Sequence, residues 1–386
     1  MKLGEMAIPY VVIWGAAALL LAACSDSGGG SKQAAASAPA AQPALTPLAT
    51  QTAPPPPDLT PVSQPVPDIA ASAAPAALTV DGALWSATPA TPTARRDAMI
   101  RAQVLLARAH FSPGVIDGQD GGNVKNAISA FEAAHGLPVD GVMDAEVWSA
   151  LSADARPVLT DYLIAPEDEK GPFVPKIPTD MAELAKLPAV GFTGPLQELA
   201  ERFHMDEKLL KSLNPGADFT AAGTKIVVAA LGPDKLPAPV TRIEVDKSRH
   251  QVRAFGGEAL LAVYPATVGS TERPAPDGQW AVRTVAPDPT YTYDPSRLTF
   301  GKTSEGKLTI KPGPNNPVGS TWIDLTIPTY GIHGAPDPRL VGKTASHGCV
   351  RLTNWDVRQL GQAVKKGTVV AFVGVEQDKP PRAGAA

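Results

Sequence analysis

Two short runs carry residues able to do covalent chemistry: Gly331-Ile332-His333-Gly334 and Ala345-Ser346-His347-Gly348-Cys349-Val350-Arg351-Leu352. Cys349 is the candidate nucleophile. A free thiol titrates near pH ~8.5 and needs a base or cation beside it to attack at neutral pH. His347 stands two positions before it, on the same face if the segment is extended. His333 lies upstream in the first run, and strand pairing would bring it alongside. Gly348 permits close approach of a ligand to the backbone. The bland alternative is a buried, inert thiol. The crowding of histidines, a glycine and Arg351 around this cysteine favours a nucleophile with its general base.

Such a pair needs a frame that sets strand beside strand. Residues 239–375 read as β-rich. Residues 242–246 and 250–255 alternate polar and apolar side chains, with 246–249 as the turn between them. Residues 260–268, 278–282, 322–325 leading to 332–334, and 368–373 are further strands, and 354–366 is a helix. Many short strands between Gly/Pro turns predict a sandwich or a curved sheet.

The 386-residue chain has 44% hydrophobic and 19% charged residues, 41 prolines and a formal net charge of -4. That is enough apolar material for real cores, while a proline share about twice the usual one marks part of the chain as linker. The near-neutral charge excludes a protein that works by coating nucleic acid, and argues against a polybasic membrane-surface binder. Two cysteines, Cys24 and Cys349, exclude a disulfide scaffold and a cysteine-rich zinc domain. No metal or other cofactor is expected. His110, His135, His204 and His250 are scattered and read as surface or packing residues.

Residues 1–23 combine Lys2 with an apolar run too short to span a bilayer, as in a secretory signal. The ending Leu21-Ala22-Ala23-Cys24 resembles a bacterial lipobox. That resemblance implies lipidation of Cys24 and an anchor in a membrane. Ser25, where an aspartate would imply retention in the inner membrane, implies the outer membrane. Residues 24–93 are rich in Ala, Pro, Ser, Gly and Thr and read as a disordered tether with polyproline character. Trp85 within it is expected to pack weakly or not at all. Residues 376–386 read as a disordered tail.

Residues 94–155 show three helical stretches and two echoing turns, Asp117-Gly118 and Asp140-Gly141, with Asp144 as an N-cap. With Gln103, Leu106, Ala127-Ile128, Phe131, His135-Gly136-Leu137, Val142 and Trp148, this unit resembles the three-helix peptidoglycan-binding domain. Glu132 stands where that family usually has glutamine. Residues 158–232 give a strand, a polar Pro-rich insertion, two short helices, Asn214-Pro215-Gly216 and a closing strand. That order resembles a LysM module, which grips glycan strands.

The two chemical runs closely resemble the signature of the YkuD-type L,D-transpeptidase catalytic domain: a histidine, a gap, then Ser/Thr-His-Gly-Cys. His333, Ser346-His347-Gly348-Cys349 and Arg351 fit it. The resemblances imply a multidomain α+β chain with a three-helix wall-binding domain, a LysM-like βααβ module and a mainly-β catalytic domain at 239–375. They imply Cys349 as nucleophile, His333 as general base and acid, and the Gly334 carbonyl as the group that orients His333. Backbone N–H groups near Gly348 and Cys349 are then the oxyanion donors. Ser346, His347 and Gly348 shape the substrate site, and Arg351 binds a substrate carboxylate or forms a structural salt bridge. The implied partners are peptidoglycan stem peptides and glycan strands in the bacterial periplasm, with no nucleic acid. The implied reaction is 3→3 crosslinking with release of D-Ala. A protein amine as acceptor would attach outer-membrane proteins to the wall, an attached protein could be released, and water would make a carboxypeptidase. The non-enzymatic alternative is a structural anchor between outer membrane and wall, with Cys349 idle.

Overall fold

A computed structural model describes residues 79–269, 274–296, 306–344 and 348–375. The signal segment 1–23, Cys24, the tether up to residue 78, Ser346, His347 and the tail 376–386 lie outside the described residues.

After a helical turn at 79–81, three helices form the first unit of the described residues. Thr91 caps the Pro92–Arg108 helix, its Oγ1 accepting from the Ala94 N–H at 3.0 Å. The Gly122–His135 helix ends on Gly136 at φ +68, the left-handed position that glycine takes at no steric cost. Asp144 opens Ala145–Leu151 as an N-cap, accepting from Val147 N–H at 2.8 Å. Each Asp-Gly turn is closed by a side chain from the helix before it. Gln103 Oε1 accepts from Asp117 N–H at 3.1 Å and Gly118 N–H at 2.8 Å. Glu132 Oε2 accepts from Asp140 N–H at 3.0 Å and Gly141 N–H at 2.9 Å. The echo in the sequence is thus one device used twice, and Glu132 fills the glutamine's role as acceptor.

The folded part begins before residue 94. Val80 is fully buried and Trp85 packs against the same core. Asp81 Oδ1 accepts from Val158 N–H at 2.7 Å and Leu159 N–H at 3.1 Å. The reading of Trp85 as a weakly packed tether residue is therefore corrected. Composition averages over a window, whereas burying one valine and much of a tryptophan is enough to offset the ordering of a few residues.

Two strands follow around a helix pair: β1 (Leu159–Leu163) and β2 (Lys225–Ala229), antiparallel from Leu159↔Ala229 to Leu163↔Lys225. Between them run the helices Pro195–Arg202 and Glu207–Leu213, the second capped by Asp206. Asn214 locks the pair to β2, its Nδ2 donating to Leu210 and Val227 carbonyls, both at 2.8 Å. Ile100, Leu106 and Phe131 of the three-helix unit share one buried cluster with Leu199, Leu210 and Ile226. Each such apolar side chain contributes about 1.5–3 kcal/mol by leaving water. The two units read separately from sequence are therefore fused through one core.

The remaining strands form an eight-stranded mixed sheet in the order β11-β10-β9-β6-β12-β3-β4-β5. They are β3 (Arg242–Asp246), β4 (Gln251–Gly256), β5 (Ala259–Pro265), β6 (Gly278–Pro287), β9 (Thr321–Leu325), β10 (Gly331–His333), β11 (Val350–Arg351) and β12 (Val369–Val373). A bulge in β6, between Val282 and Thr284, lies where the sheet passes from the β12 side to the β9 side. A separate ribbon pairs β7 (Tyr291–Tyr293) with β8 (Leu308–Ile310). The Asn354–Ala363 helix lies on β9 and β10 and buries Trp355, Val357 and Leu360. It stops short of the expected residue 366, because a turn closed by Thr368 N–H to Lys365 O at 3.0 Å takes over.

Candidate active site

The site is built on the edge of the sheet. β10 and β11 run parallel, with Ile332 opposite Val350 and His333 opposite Arg351. Leu352 N–H donates to His333 O at 2.8 Å, and Thr267 and Arg351 exchange two backbone bonds of 2.9 Å on the other side of β11. Pairing therefore carries Cys349, just ahead of β11, to the level of Gly331, whose backbone favours the thiolate form of its side chain. Gly348, before it, adopts φ +123, a conformation open only to glycine. The pairing expected from the sequence is what joins the two runs. His333 and Cys349 line one cleft of about 730 Å³, with Gly348, Arg351, Tyr291 and Trp322.

His333 is only 4% exposed. Its Nδ1 lies 2.7 Å from the Gly334 carbonyl oxygen, which can only accept. Nδ1 therefore carries the proton, and Nε2 keeps a free lone pair. The ring stacks on Trp322 at 5.4 Å between centroids and 20° between planes. Gly334 is itself fixed. Its N–H donates to Thr321 O at 3.2 Å, and a Cβ there would sit 2.2 Å from Asn354 Oδ1. Asn354 Oδ1 accepts from Ser320 N–H at 3.0 Å, while its Nδ2 donates to Glu201 Oε2 at 3.0 Å and Pro314 O at 3.1 Å. A carboxylate of the Pro195–Arg202 helix thus steadies the turn that holds the histidine.

Burial, and then the charge of Arg351, push the His333 pKa down to about 3, against the opposing hydrogen bond to Gly334. Burial pushes the Cys349 thiol up, with the Gly331 backbone and Arg351 offsetting part of the rise. Both shifts favour the neutral forms, an imidazole and a thiol in the same cleft, over an ion pair. Burial also lowers the pKa of Arg351, whose ionisable neighbours are Cys349 and Tyr291. Among the described residues no carboxylate pairs with this arginine, so the structural salt bridge weighed for it is not found there.

Of the residues singled out in sequence, the fold gathers Cys349, His333, Gly334, Gly348 and Arg351. Ser346, His347 and Cys24 lie outside the described residues. Sequence reading missed Trp322 and Asn354. Trp322 sits opposite His333 in the β9–β10 register, a signal readable only once that pairing is known.

Comparison with known proteins matches this architecture. The family model described as "L,D-transpeptidase catalytic domain" (YkuD) covers residues 240–372. The "Putative L,D-transpeptidase YqjB" of Bacillus subtilis is 31% identical over 146 residues, 36% of this chain and 74% of that protein. The chain belongs to the L,D-transpeptidase family. Two further members extend the match. The "Putative L,D-transpeptidase YkuD" of Bacillus licheniformis is 28% identical over 180 residues, 46% of this chain and 92% of its own length. The "Probable L,D-transpeptidase YbiS" of Escherichia coli is 27% identical over 222 residues, 54% of this chain and 69% of its own. A second family model, "Putative peptidoglycan binding domain", covers residues 95–151, the three-helix unit. This L,D-transpeptidase-family enzyme thus carries its catalytic sheet behind a helical module of the peptidoglycan-binding type.

Proposed function

We propose that this enzyme crosslinks peptidoglycan stem peptides 3→3 through an acyl-enzyme on Cys349. The observation that carries the reading is the parallel β10–β11 register that sets His333 and Cys349 in one cleft, with His333 Nδ1 tied to the Gly334 carbonyl. Cys349 Sγ attacks the carbonyl between the third residue of the donor stem and its terminal D-Ala. As the S–C bond forms, the thiol proton passes to His333 Nε2. The Gly334 carbonyl stabilises the imidazolium through Nδ1–H. That proton then goes to the amine of D-Ala as the C–N bond breaks. The amine of a second stem attacks the thioester, its proton returns through His333, and the thiol is restored. Backbone N–H groups near Gly348 and Cys349 hold the developing oxyanion, and Arg351 receives a donor carboxylate. Starting from a neutral pair, the site creates charge only as the sulfur attacks.

The rest of the chain fits an enzyme that works on the wall. The strand–helix–helix–strand order around Asn214 supports a LysM-like grip on glycan. The Leu21-Ala22-Ala23-Cys24 ending supports a periplasmic lipoprotein anchored in the outer membrane. The test uses the full chain in detergent with disaccharide-tetrapeptide, and a Cys349→Ala control, read by mass spectrometry. The expected product is a tetra–tri dimer formed with loss of one D-Ala, absent in the control. Tripeptide alone would turn the reading toward a carboxypeptidase or a protein acceptor, and no D-Ala release at all would overturn it.

A further inference from the structure

The insertion between β1 and the helix pair of the middle module reads in sequence as a polar, Pro-rich stretch. In the structure it is part of the cleft. Its Met181–Ala185 helix packs on β8, where Leu184 and Val190 form a buried cluster with Ile310. Ile177, Met181, Ala185, Leu187 and Tyr291 flank that cluster. Backbone bonds fasten the insertion to the loop that follows β8: Val190 N–H to Pro312 O at 2.9 Å, and Asn315 N–H to Val190 O at 3.1 Å. Asn315 Nδ2 adds a bond to Gly191 O at 2.8 Å. Gly313 adopts φ +146, and a Cβ there would lie 2.1 Å from Val190 O, so the contact depends on a glycine. The same insertion lends Ile177, Pro178, Met181 and Leu184 to the lining of the cleft that holds His333 and Cys349.

We propose that Ile177 and Met181 are specificity-determining residues of this cleft, holding the acyl-donor peptide along an apolar wall supplied by the middle module. The proposal rests on the acyl-transfer reading above. In that reaction the donor stays covalently on Cys349, so its chain must leave the thioester along the cleft. A cleft of about 730 Å³ far exceeds the departing D-Ala and has room for several residues of donor. Its lining joins a cation without an acidic partner among the described residues, Arg351, to the half-buried aliphatic surface of Ile177 and Met181. That pairing suits an anionic peptide with an aliphatic side-chain stem. Methionine, unbranched and adaptable, follows such a stem without fixing one conformer. Leu184 touches the cleft but is buried in the cluster with Ile310, and serves as the wall's footing.

The experiment uses the full chain carrying Ile177→Ser, Met181→Ser and both together, with Ile177→Val and Met181→Leu as rescue variants. D-Ala release is followed against donor concentration, and Cys349 reactivity is followed with iodoacetamide. In the double serine variant the donor KM is expected to rise about tenfold while kcat stays within about twofold, since only uniform binding is lost. Alkylation by iodoacetamide should be unchanged, and the conservative variants should restore KM. An unchanged KM, or a fall in kcat alone with altered alkylation, would overturn the proposal. If wild-type enzyme releases no D-Ala from any stem peptide, the transpeptidase reading fails and the wall is judged sterically. The rate of a bulky fluorescein maleimide relative to iodoacetamide should then rise severalfold in the double variant, and an unmoved ratio overturns the wall as well.

Discussion

Two histidines of this chain share a physical setting and differ in what they can do. His333, in the cleft, and His204, at the seam between the middle module and the catalytic sheet, each have their pKa lowered to about 3, chiefly by burial. Each stacks on a tryptophan, His333 on Trp322 and His204 on Trp355 at 4.7 Å. Of the two, only His333 has its Nδ1 bound to a backbone carbonyl, a thiol at the start of the neighbouring strand and a cleft in front of it. His204 sits at φ +56 between two modules, its carbonyl accepting from Ile116 N–H at 2.8 Å. Weakened basicity therefore reports removal from water, and chemistry requires a fixed tautomer and a reacting partner as well.

Exchanging each ring for an amide separates the two settings. On the proposed mechanism, His333→Asn should slow acyl-enzyme formation about 10³-fold, the range lost with a general base. His204→Asn keeps a side chain that tolerates the left-handed backbone. It should cost about 1–3 kcal/mol of stability and leave turnover per folded molecule within about twofold. Single-turnover mass spectrometry and urea unfolding read the two effects. Equal losses of rate would collapse the distinction between seam and cleft.

The neutral pair itself gives a second separation. Because burial holds the Cys349 thiol above its ordinary value, thiolate should be scarce at neutral pH. Alkylation by iodoacetamide should then climb about tenfold per pH unit from pH ~7 to ~9, without an acid-side plateau. A rate already level between pH ~5 and ~8 would show a resting ion pair and remove the basis for concerted proton transfer.

The sequence made the chemical half of the cleft legible and hid the apolar half. Cys349, His333 and Gly334 stand in short runs, and the β-rich reading of residues 239–375 led to the expectation that strand pairing would join them. The Asp-Gly echo and the Asp144 cap were equally local. Trp322 became meaningful only through its register opposite His333. Asn354 acts by touching Gly334, Ser320 and Glu201, contacts that span the chain. The insertion has helices of five residues each, too short for a periodicity, and its partners on β8 lie far downstream. Local signals specify strands and caps, whereas a wall shared by two modules exists only once both have folded.

The seam adds a test by pH. Burial raises both Glu201 and Asp356 to about 7. For these carboxyls the folded state keeps protons that the unfolded chain releases above pH ~4. Their stabilisation is therefore complete below that pH and is lost as pH rises toward 7. His204 and His333 have the opposite sign: their contribution is complete above pH ~6.5 and is lost as pH falls toward 3. The opposed slopes should leave the wild type nearly level between pH ~4.5 and ~6.5. Glu201→Gln with Asp356→Asn should uncover the histidine slope, with stability rising by on the order of 3 kcal/mol across that window. Urea unfolding at four pH values measures it, and a double variant as level as the wild type would contradict the assignment of the seam carboxyls.

The smallest effect concerns the two turns of the helical module. Gln103 and Glu132 each close an Asp-Gly turn through two backbone N–H groups, but only Gln103 also donates, its Nε2 meeting Asp117 Oδ1 at 2.9 Å. Glu132 is 1% exposed. Burial raises its pKa, the two N–H bonds lower it, and the nearby Asp140 charge raises it again. A raised carboxyl loses its stabilising contribution as pH climbs through its folded value. Glu132→Gln keeps the acceptor, relieves the repulsion with Asp140 and gains the donor that Gln103 uses. It should therefore stabilise the chain by about 0.5–1 kcal/mol at neutral pH, and the gain should vanish near pH ~4, where the wild-type carboxyl is protonated. Glu132→Ala, which leaves the buried Gly141 N–H and the part-buried Asp140 N–H without their acceptor, should lose about 2–3 kcal/mol at either pH. Unfolding of the three proteins at both pH values decides the matter, because a Gln variant that is weaker at neutral pH would mean the two turns are held by different physics.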